Sequence, residues 1–240
     1  MEQALSTLLL NYFFIPNTSI KFLAELIIAI IRVREVNLKE LSLAISASST
    51  QDSCYRRLQR LFTNLNFNYK SISLLLITLA GLEEVTWILA LDRTNWKFGK
   101  KYINVLMLSI CYNGIAIPLM WDLLDNNGGS SNFADRKKLI LRFIKYFGAK
   151  KIHSLLMDRE FIGDDWLQFL DDQQIHFYVR LKENHTISRS RGELSKTANR
   201  LIKHLENGCS KVLFGKRFLG AKRGGGRLSV LWLVAMKKDL

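Results

Sequence analysis

Proline is almost missing from this chain, with 2 in 240 residues. Glycine is modest at 14, while 48% of residues are apolar. That balance excludes a low-complexity or disordered chain and leaves enough bulk for a sizeable core. Cysteine is scarce too: 3 residues, at 54, 111 and 209, with no CxxC pair and no Cys/His metal spacing. A disulfide scaffold and a zinc site are thereby excluded, and a reduced, cytoplasmic protein is expected. The four histidines, 153, 176, 185 and 204, show no ligand spacing either. Long apolar runs are lacking. "FLAELIIAIIRVR" is interrupted by Glu25 and is too short for a membrane span. "MEQALSTLLLNYFFIP" has no basic n-region or small-residue cleavage site, so no signal peptide is expected. Acid is the last scarcity: 21 Asp+Glu stand against 35 Lys+Arg, a formal net charge of +14. Such a chain suits polyanionic partners, nucleic acid first and an anionic membrane surface second.

Residues 1–82 read as a helical region. "IKFLAELIIAIIRV" has helix formers and an apolar face, and Leu38, Leu41 and Ile45 recur at helical spacing. After the polar break "SASST", a helix from Gln51 sets Tyr55, Leu58, Leu61 and Phe62 on one side and Arg56, Arg57 and Arg60 along another. Two short helices joined by a polar turn, the second one basic, make a helix-turn-helix candidate for DNA binding. An ordinary helical bundle with a solvated basic face fits the same residues.

From residue 85 the pattern changes. "VTWILALD", "INVLMLSICYN" and "IAIPLMWDLL" are rich in β-branched and large apolar residues, and Asn113-Gly114 is a hairpin signal. Three consecutive antiparallel strands are expected, with "RTNWKFGKK" separating the first two. "FADRKKLILRFIKYFG" is an amphipathic helix with Leu139, Phe143 and Phe147 on one face. "KIHSLLMD" is a strand, "GDDWLQFLDDQQ" a helix with acids in its first turn, and "IHFYVRLKEN" a further strand. The order predicts an α/β domain over residues 83–182, whose later strands are joined by crossover helices. Between Arg180 and Arg227 the chain carries 13 Lys or Arg against three Glu. There "KVLFGKRFLG", "AKRGGGR" and "LSVLWLVAMKK" predict a hairpin with a charged tip. Dense basic clustering favours a phosphate-tracking surface over a merely solvated one.

Two aspartates stand out. Asp92 closes the first predicted strand and Asp158 the fourth, each followed by Arg ("LDRTNW", "MDREF"). If those strands are parallel neighbours, both carboxylates emerge together and can share a divalent ion. Mg²⁺ prefers carboxylate oxygen and keeps several waters for substrate phosphates. The lysines and arginines would then hold DNA while the carboxylates hold the cations. Taken singly, each aspartate reads first as a strand-ending residue that caps a turn; the recurrence after two apolar strands, each time before Arg, favours the shared-ion reading.

"LDRTNWKFGK", "IAIPLMWDLLDNNGGSSNFADRKKLI", "LLMDREFIGDDWLQFL" and "IHFYVRLKEN", in that order over residues 85–185, resemble the IS4-type DDE transposases. The resemblance implies an α/β, RNase H-like mixed sheet: three antiparallel strands, then helix, strand, helix, strand. It implies a helical N-terminal DNA-binding region, and it makes residues 183–240 the start of an incomplete basic β-rich insertion. Asp92 and Asp158 would be the first two catalytic and metal-binding acids, with Mg²⁺ as cofactor and Mn²⁺ as its substitute. The implied function is metal-dependent cleavage of the ends of an insertion sequence and strand transfer. Its partners would be terminal inverted repeats and target DNA, with a homodimer on DNA and no membrane association. The expected location is the bacterial nucleoid. Expected DNA contacts are Arg56, Arg57, Arg60, Arg93, Arg159, Arg180, Lys182, Lys222, Arg223 and Arg227.

The chain also departs from the family. The third acid, a Glu in the pattern Y-x2-R-x3-E-x6-K, is not found, because no Tyr here has Arg three places on. Glu183 follows Arg180 but lacks the Tyr and Lys spacing. A transposase shortened at its C-terminus, with impaired activity, is the expectation. A non-catalytic DNA-binding protein that competes for element ends is the alternative. A third possibility, an RNase H-like nuclease, would need Asp122 or Asp125 near the aspartate pair. Arg93 and Arg159 are expected to contact phosphate, anchor the carboxylates or form structural ion pairs. Trp96, Trp166 and Cys111 are expected to pack. Trp232 is expected to be a core residue, although the resemblance also allows it to stack on a base.

Overall fold

In a computed structural model, the structure describes residues 1–45, 50–64, 68–125, 131–181, 185–188, 196–198, 200, 203–204, 210–213, 217–219, 228–229 and 233–236. The chain divides into two compact units, Met1–Glu83 and Glu84–Leu240.

The first unit is helical: α1 (Glu2–Leu10), α2 (Asn17–Val33), α3 (Leu38–Ile45), α4 (Gln51–Asn64) and α5 (Tyr69–Ala80). Their apolar positions meet in one core that includes Leu9, Ile20, Leu23, Leu26, Leu41 and Leu58. On α4 the buried residues are Cys54, Leu58 and Leu61, spaced by four and three as one helix face requires. Phe62 is more than half exposed, which corrects its expected place on the apolar side. It follows Leu61 by one residue, a rotation of about 100° that turns it off the buried face. Arg56, Arg57 and Arg60 are exposed, and the Arg57 guanidinium lies 4.1 Å from the centre of the Phe22 ring. No helix among the described residues is long and apolar enough to cross a membrane.

The second unit is built on a mixed five-stranded sheet. Its strands are β1 (Trp87–Phe98), β2 (Lys101–Tyr112), β3 (Ile115–Leu124), β4 (Ile152–Met157) and β5 (Phe177–Val179). The spatial order is β3-β2-β1-β4-β5, with β1 antiparallel to β2, β2 antiparallel to β3, and β1, β4 and β5 parallel. Helix α6 (Phe133–Phe147) connects β3 to β4, and α7 (Asp164–Asp172) connects β4 to β5. This is the RNase H-like arrangement. One face of β1, carrying Trp87, Leu89 and Leu91, is buried. Trp87 meets Phe143 and Phe147 of α6 edge-on, at centroid distances of 5.9 and 5.4 Å. From α7, Trp166 Nε1–H donates to Met157 Sδ at 3.2 Å. Both helices therefore cover the same face of the sheet. The start of α6 is held by a capping box, in which Asn132 Oδ1 accepts from the Asp135 N–H and Asp135 accepts from the Asn132 N–H.

Two differences from the sequence reading matter for the site. Strand β1 does not end at Asp92. It runs on through "RTNWKF" and turns at Gly99-Lys100, so that Phe98 pairs with Lys101. Gly99 has φ +60, while Lys100 has no positive φ, as a two-residue type II′ turn requires. At the next hairpin Asn113 and Gly114 both have positive φ, 48 and 79, as a type I′ turn requires. The second difference is β5, which spans only three residues of the expected longer strand.

Beyond β5, β6 (Thr186–Ser188), β7 (Lys196–Thr197), β9 (Arg217–Leu219) and β10 (Leu228–Ser229) form a second sheet. Strands β8 (Ser210–Leu213) and β11 (Leu233–Met236) pair separately. The expected hairpin corresponds to the antiparallel pair β9-β10, and its charged tip lies outside the described residues.

Candidate active site

Asp92 and Asp158 come together through the register of two parallel strands. Strands β1 and β4 pair from Trp87 with Ile152 to Leu91 with Met157, and each aspartate is the next residue along. Side chains alternate across a strand. Asp92 and Asp158 therefore project on the face opposite Leu91 and Met157, away from α6 and α7. Asp92 lies mid-strand with respect to β2, where it pairs with Met107, but just past the last pair with β4. Continued antiparallel pairing after the parallel pairing stops puts an acid within a strand yet at the edge of a ladder. Both aspartates are exposed.

Strand β5 adds a third residue to this row. The Arg180 N–H donates to the Met157 carbonyl at 3.3 Å, and Arg180 Nη1 lies 3.8 Å from Asp158 Oδ1. Arg180 remains largely in solvent, with 75% of its side chain exposed. The row therefore presents two acids and one guanidinium, all accessible.

The reverse face carries the residues that tie the row together. Arg93 Nη2 and Nε donate to the Glu160 carboxylate at 3.0–3.3 Å, and Nη1 donates to Asn104 Oδ1 at 3.4 Å. Of the uses expected for Arg93, the structure contains the ion pair. This bond joins the residue after Asp92 to the turn after Asp158, so it fixes the spacing of the two acid-bearing segments. The Arg93 N–H also donates to Asp92 Oδ1 at 2.8 Å. Arg136 of α6 buttresses the same turn. Its Nη2 reaches the Glu160 carbonyl at 3.4 Å, its Nε donates to Ser131 Oγ at 2.9 Å, and its guanidinium lies 5.0 Å from the Phe161 ring centre. Burial pushes the Arg136 guanidinium down in pKa, while Glu160 and then Asp135 oppose the shift.

Neither Glu160 nor Arg136 stands out in sequence. Glu160 sits in "MDREF", where a surface glutamate looks the same. Arg136 lies in the basic run "DRKK", and nothing local distinguishes this buried cation from half-buried Lys137 and exposed Lys138.

The other expected residues divide. Arg159 is exposed in the turn after Asp158. Lys182, Glu183, Lys222, Arg223, Arg227 and Trp232 lie outside the described residues. Asp122 does not approach Asp92. It pairs through Leu106 with the position of Arg93, hence on the α6 face, where Arg142 Nη1 donates to its Oδ1 at 3.0 Å. Asp125 lies past Leu124, which aligns with Asn104 and Asn95, about 10 Å or more along the strands from Asp92. Neither acid stands beside the aspartate pair. Trp166 packs as expected, but Trp96 is 58% exposed and does not. Cys111 is half-buried, and burial pushes its thiol up in pKa.

Among the described residues no group of three or more His, Cys, Asp or Glu gathers as a metal site. The Asp92–Asp158 pair has the right chemistry for a hard divalent ion nonetheless. It offers one carboxylate within β1 and one just past the end of β4, with open solvent for the waters and phosphate oxygens that Mg²⁺ retains.

Among curated proteins, none matches the chain. The family model of the transposase DDE domain matches residues 83–213, from the start of the sheet to the end of β8. With a match over more than half its length, on a sheet that brings Asp92 and Asp158 side by side, the chain belongs to the transposase DDE domain family, and DNA is the partner that membership implies.

Proposed function

We propose that this protein is an insertion-sequence transposase of the IS4 type, whose Asp92 and Asp158 hold a Mg²⁺ ion at the scissile phosphate. The placement of the two carboxylates in one row of adjacent parallel strands carries this reading. When bound, a divalent cation there supplies Lewis acidity for phosphoryl displacement. The chain's own residues orient the reaction. Arg180, in the same row, contacts a phosphate oxygen, and the Arg93–Glu160 pair holds the two acid-bearing segments at fixed separation. Arg159 adds a second exposed cation beside Asp158. The basic residues 183–240 track the DNA backbone beyond the cut.

Two carboxylates form an incomplete set compared with the family's three. This 240-residue chain therefore binds the ion weakly and performs little strand transfer by itself. Calorimetric titration with Mn²⁺, alongside a strand-transfer assay on terminal-repeat DNA, tests the reading. Weak Mn²⁺ binding that disappears in Asp92→Asn and in Asp158→Asn is expected. Unchanged Mn²⁺ binding in the double variant would overturn the metal site.

The exposed arginines of α4 favour a second reading, a DNA-binding protein that competes for element ends without catalysis. Preference for terminal repeats that survives Asp92→Asn/Asp158→Asn, with no strand transfer by the wild type, would select it.

A further inference from the structure

The β1-β2 hairpin extends past its neighbours. Strand β4 leaves β1 at Leu91, and β3 leaves β2 at Asn104. Among the described residues, 96–103 consequently pair only with each other and form a two-stranded ribbon closed at Gly99-Lys100. An isolated ribbon lacks a second layer, and its side chains should be polar if its only task is to be a loop. Instead Trp96 is 58% exposed, Tyr102 48% and Ile103 37%.

Their arrangement is specific. Alternation along β1 puts Asp92, Thr94 and Trp96 on one face. Trp96 pairs with Ile103, so an exposed aromatic-aliphatic pair lies on the acids' side of the sheet. Four residues of strand separate Trp96 from Asp92, about 13 Å. On the other face Lys97 Nζ sits 5.7 Å from the centre of the Tyr102 ring. Lys97, Lys100 and Lys101 are all exposed. No acidic residue occurs between Asp92 and Asp122, so no acid on the ribbon offsets these cations. The charge selects the occupant: a second copy of a chain with net charge +14 would be repelled, while a polyanion would be attracted.

We infer that the β1-β2 ribbon is a DNA-gripping arm, with Trp96 as a stacking platform for an unpaired base near the scissile phosphate and Lys100 and Lys101 on the flanking phosphates. This inference rests on the transposase reading and deepens it by naming the form of DNA bound. Inside a duplex both faces of a base are covered by its neighbours. The flat face of Trp96 therefore recognises a frayed or single-stranded end better than a blunt one. Base–aromatic stacking contributes about 1–3 kcal/mol per base.

Fluorescence anisotropy with a labelled single strand and a blunt duplex of the same sequence tests the arm. Trp96→Ala should weaken single-strand binding by about 5- to 150-fold and duplex binding by about twofold or less. Trp96→Phe should retain most of the affinity. Trp96→Thr, which suits an exposed strand, provides a second variant if Ala disturbs the hairpin, and should behave as Ala does. Lys100→Gln/Lys101→Gln should lower the slope of log K against log salt on single strands by about 1.4, about 0.7 for each phosphate no longer neutralised. Equal losses on both DNA forms, or none on either, would overturn the arm while leaving the transposase reading intact. A wild-type chain that binds neither form would overturn both.

Discussion

The Asp122–Arg142 pair offers the sharpest test of which acids belong to the site. Asp122 and Arg142 are mostly buried, 15% and 18% exposed, and link β3 to α6 at 3.0 Å. Asp122 Oδ2 is buried without a hydrogen-bond partner among the described residues. Changing Arg142 to Met removes the charge that compensates Oδ1 and leaves a carboxylate stranded under the helix. Breaking a fully buried pair from one side costs about 3–5 kcal/mol. The residual solvent access here puts the expected loss near the lower end, about 3 kcal/mol. Replacing both partners, as Arg142→Met/Asp122→Leu, removes the stranded charge and should recover stability to within about 1 kcal/mol of wild type. Urea unfolding followed by tryptophan fluorescence isolates the relevant unit, because all 5 Trp lie beyond residue 83. Since Asp122 lies on the α6 face and Asp92 on the other, the double variant should also keep wild-type Mn²⁺ binding. An Arg142→Met variant within about 0.5 kcal/mol of wild type, a double variant no better than the single one, or abolished Mn²⁺ binding would each refute this reasoning.

Glu25 in α2 provides a pH test of the helical unit. Burial first and Glu2 second hold its carboxyl above its ordinary 4.5, against Arg57. The folded state therefore favours the protonated form, and the stability that Glu25 contributes is full below pH 4.5 and is lost as pH rises through the raised value. Glu25→Gln should make the helical unit more stable at neutral pH, seen as slower modification of the buried Cys54 by mass spectrometry of its peptide; faster modification would contradict the sign. Gly114→Val places a β-branched residue at φ +79 and should cost about 1–2 kcal/mol in the same urea assay. A neutral result would argue against the type I′ turn.

Much of the sheet was legible because burial writes a pattern. Trp87, Leu89 and Leu91 alternate, Asn113-Gly114 marks a turn, and α6 repeats its apolar residues at helical spacing. The ribbon was not legible for the complementary reason. "RTNWKF" and "KYIN" face solvent and are paired by backbone bonds that no side-chain pattern records, so they read as a separator. Trp96 was expected to pack because most tryptophans do; its exposure follows from β3 and β4 ending before it. Asp92 and Asp158 could be singled out as acids after apolar runs, but their proximity depended on β1 and β4 being neighbours.

The sequence by itself determined the order of helices and strands in the five-stranded domain, the basic character that suits DNA, and two acids that follow apolar runs. These follow from local periodicity and composition, which need no knowledge of what packs on what. Tertiary structure alone decided that Asp92 and Asp158 share a row, that Asp122 turns to the opposite face, and that Arg93 joins Glu160 across 67 residues of chain. Each of those depends on strand register, and register is set by contacts between segments distant in the chain, where a shift of one residue moves every side chain to the other face.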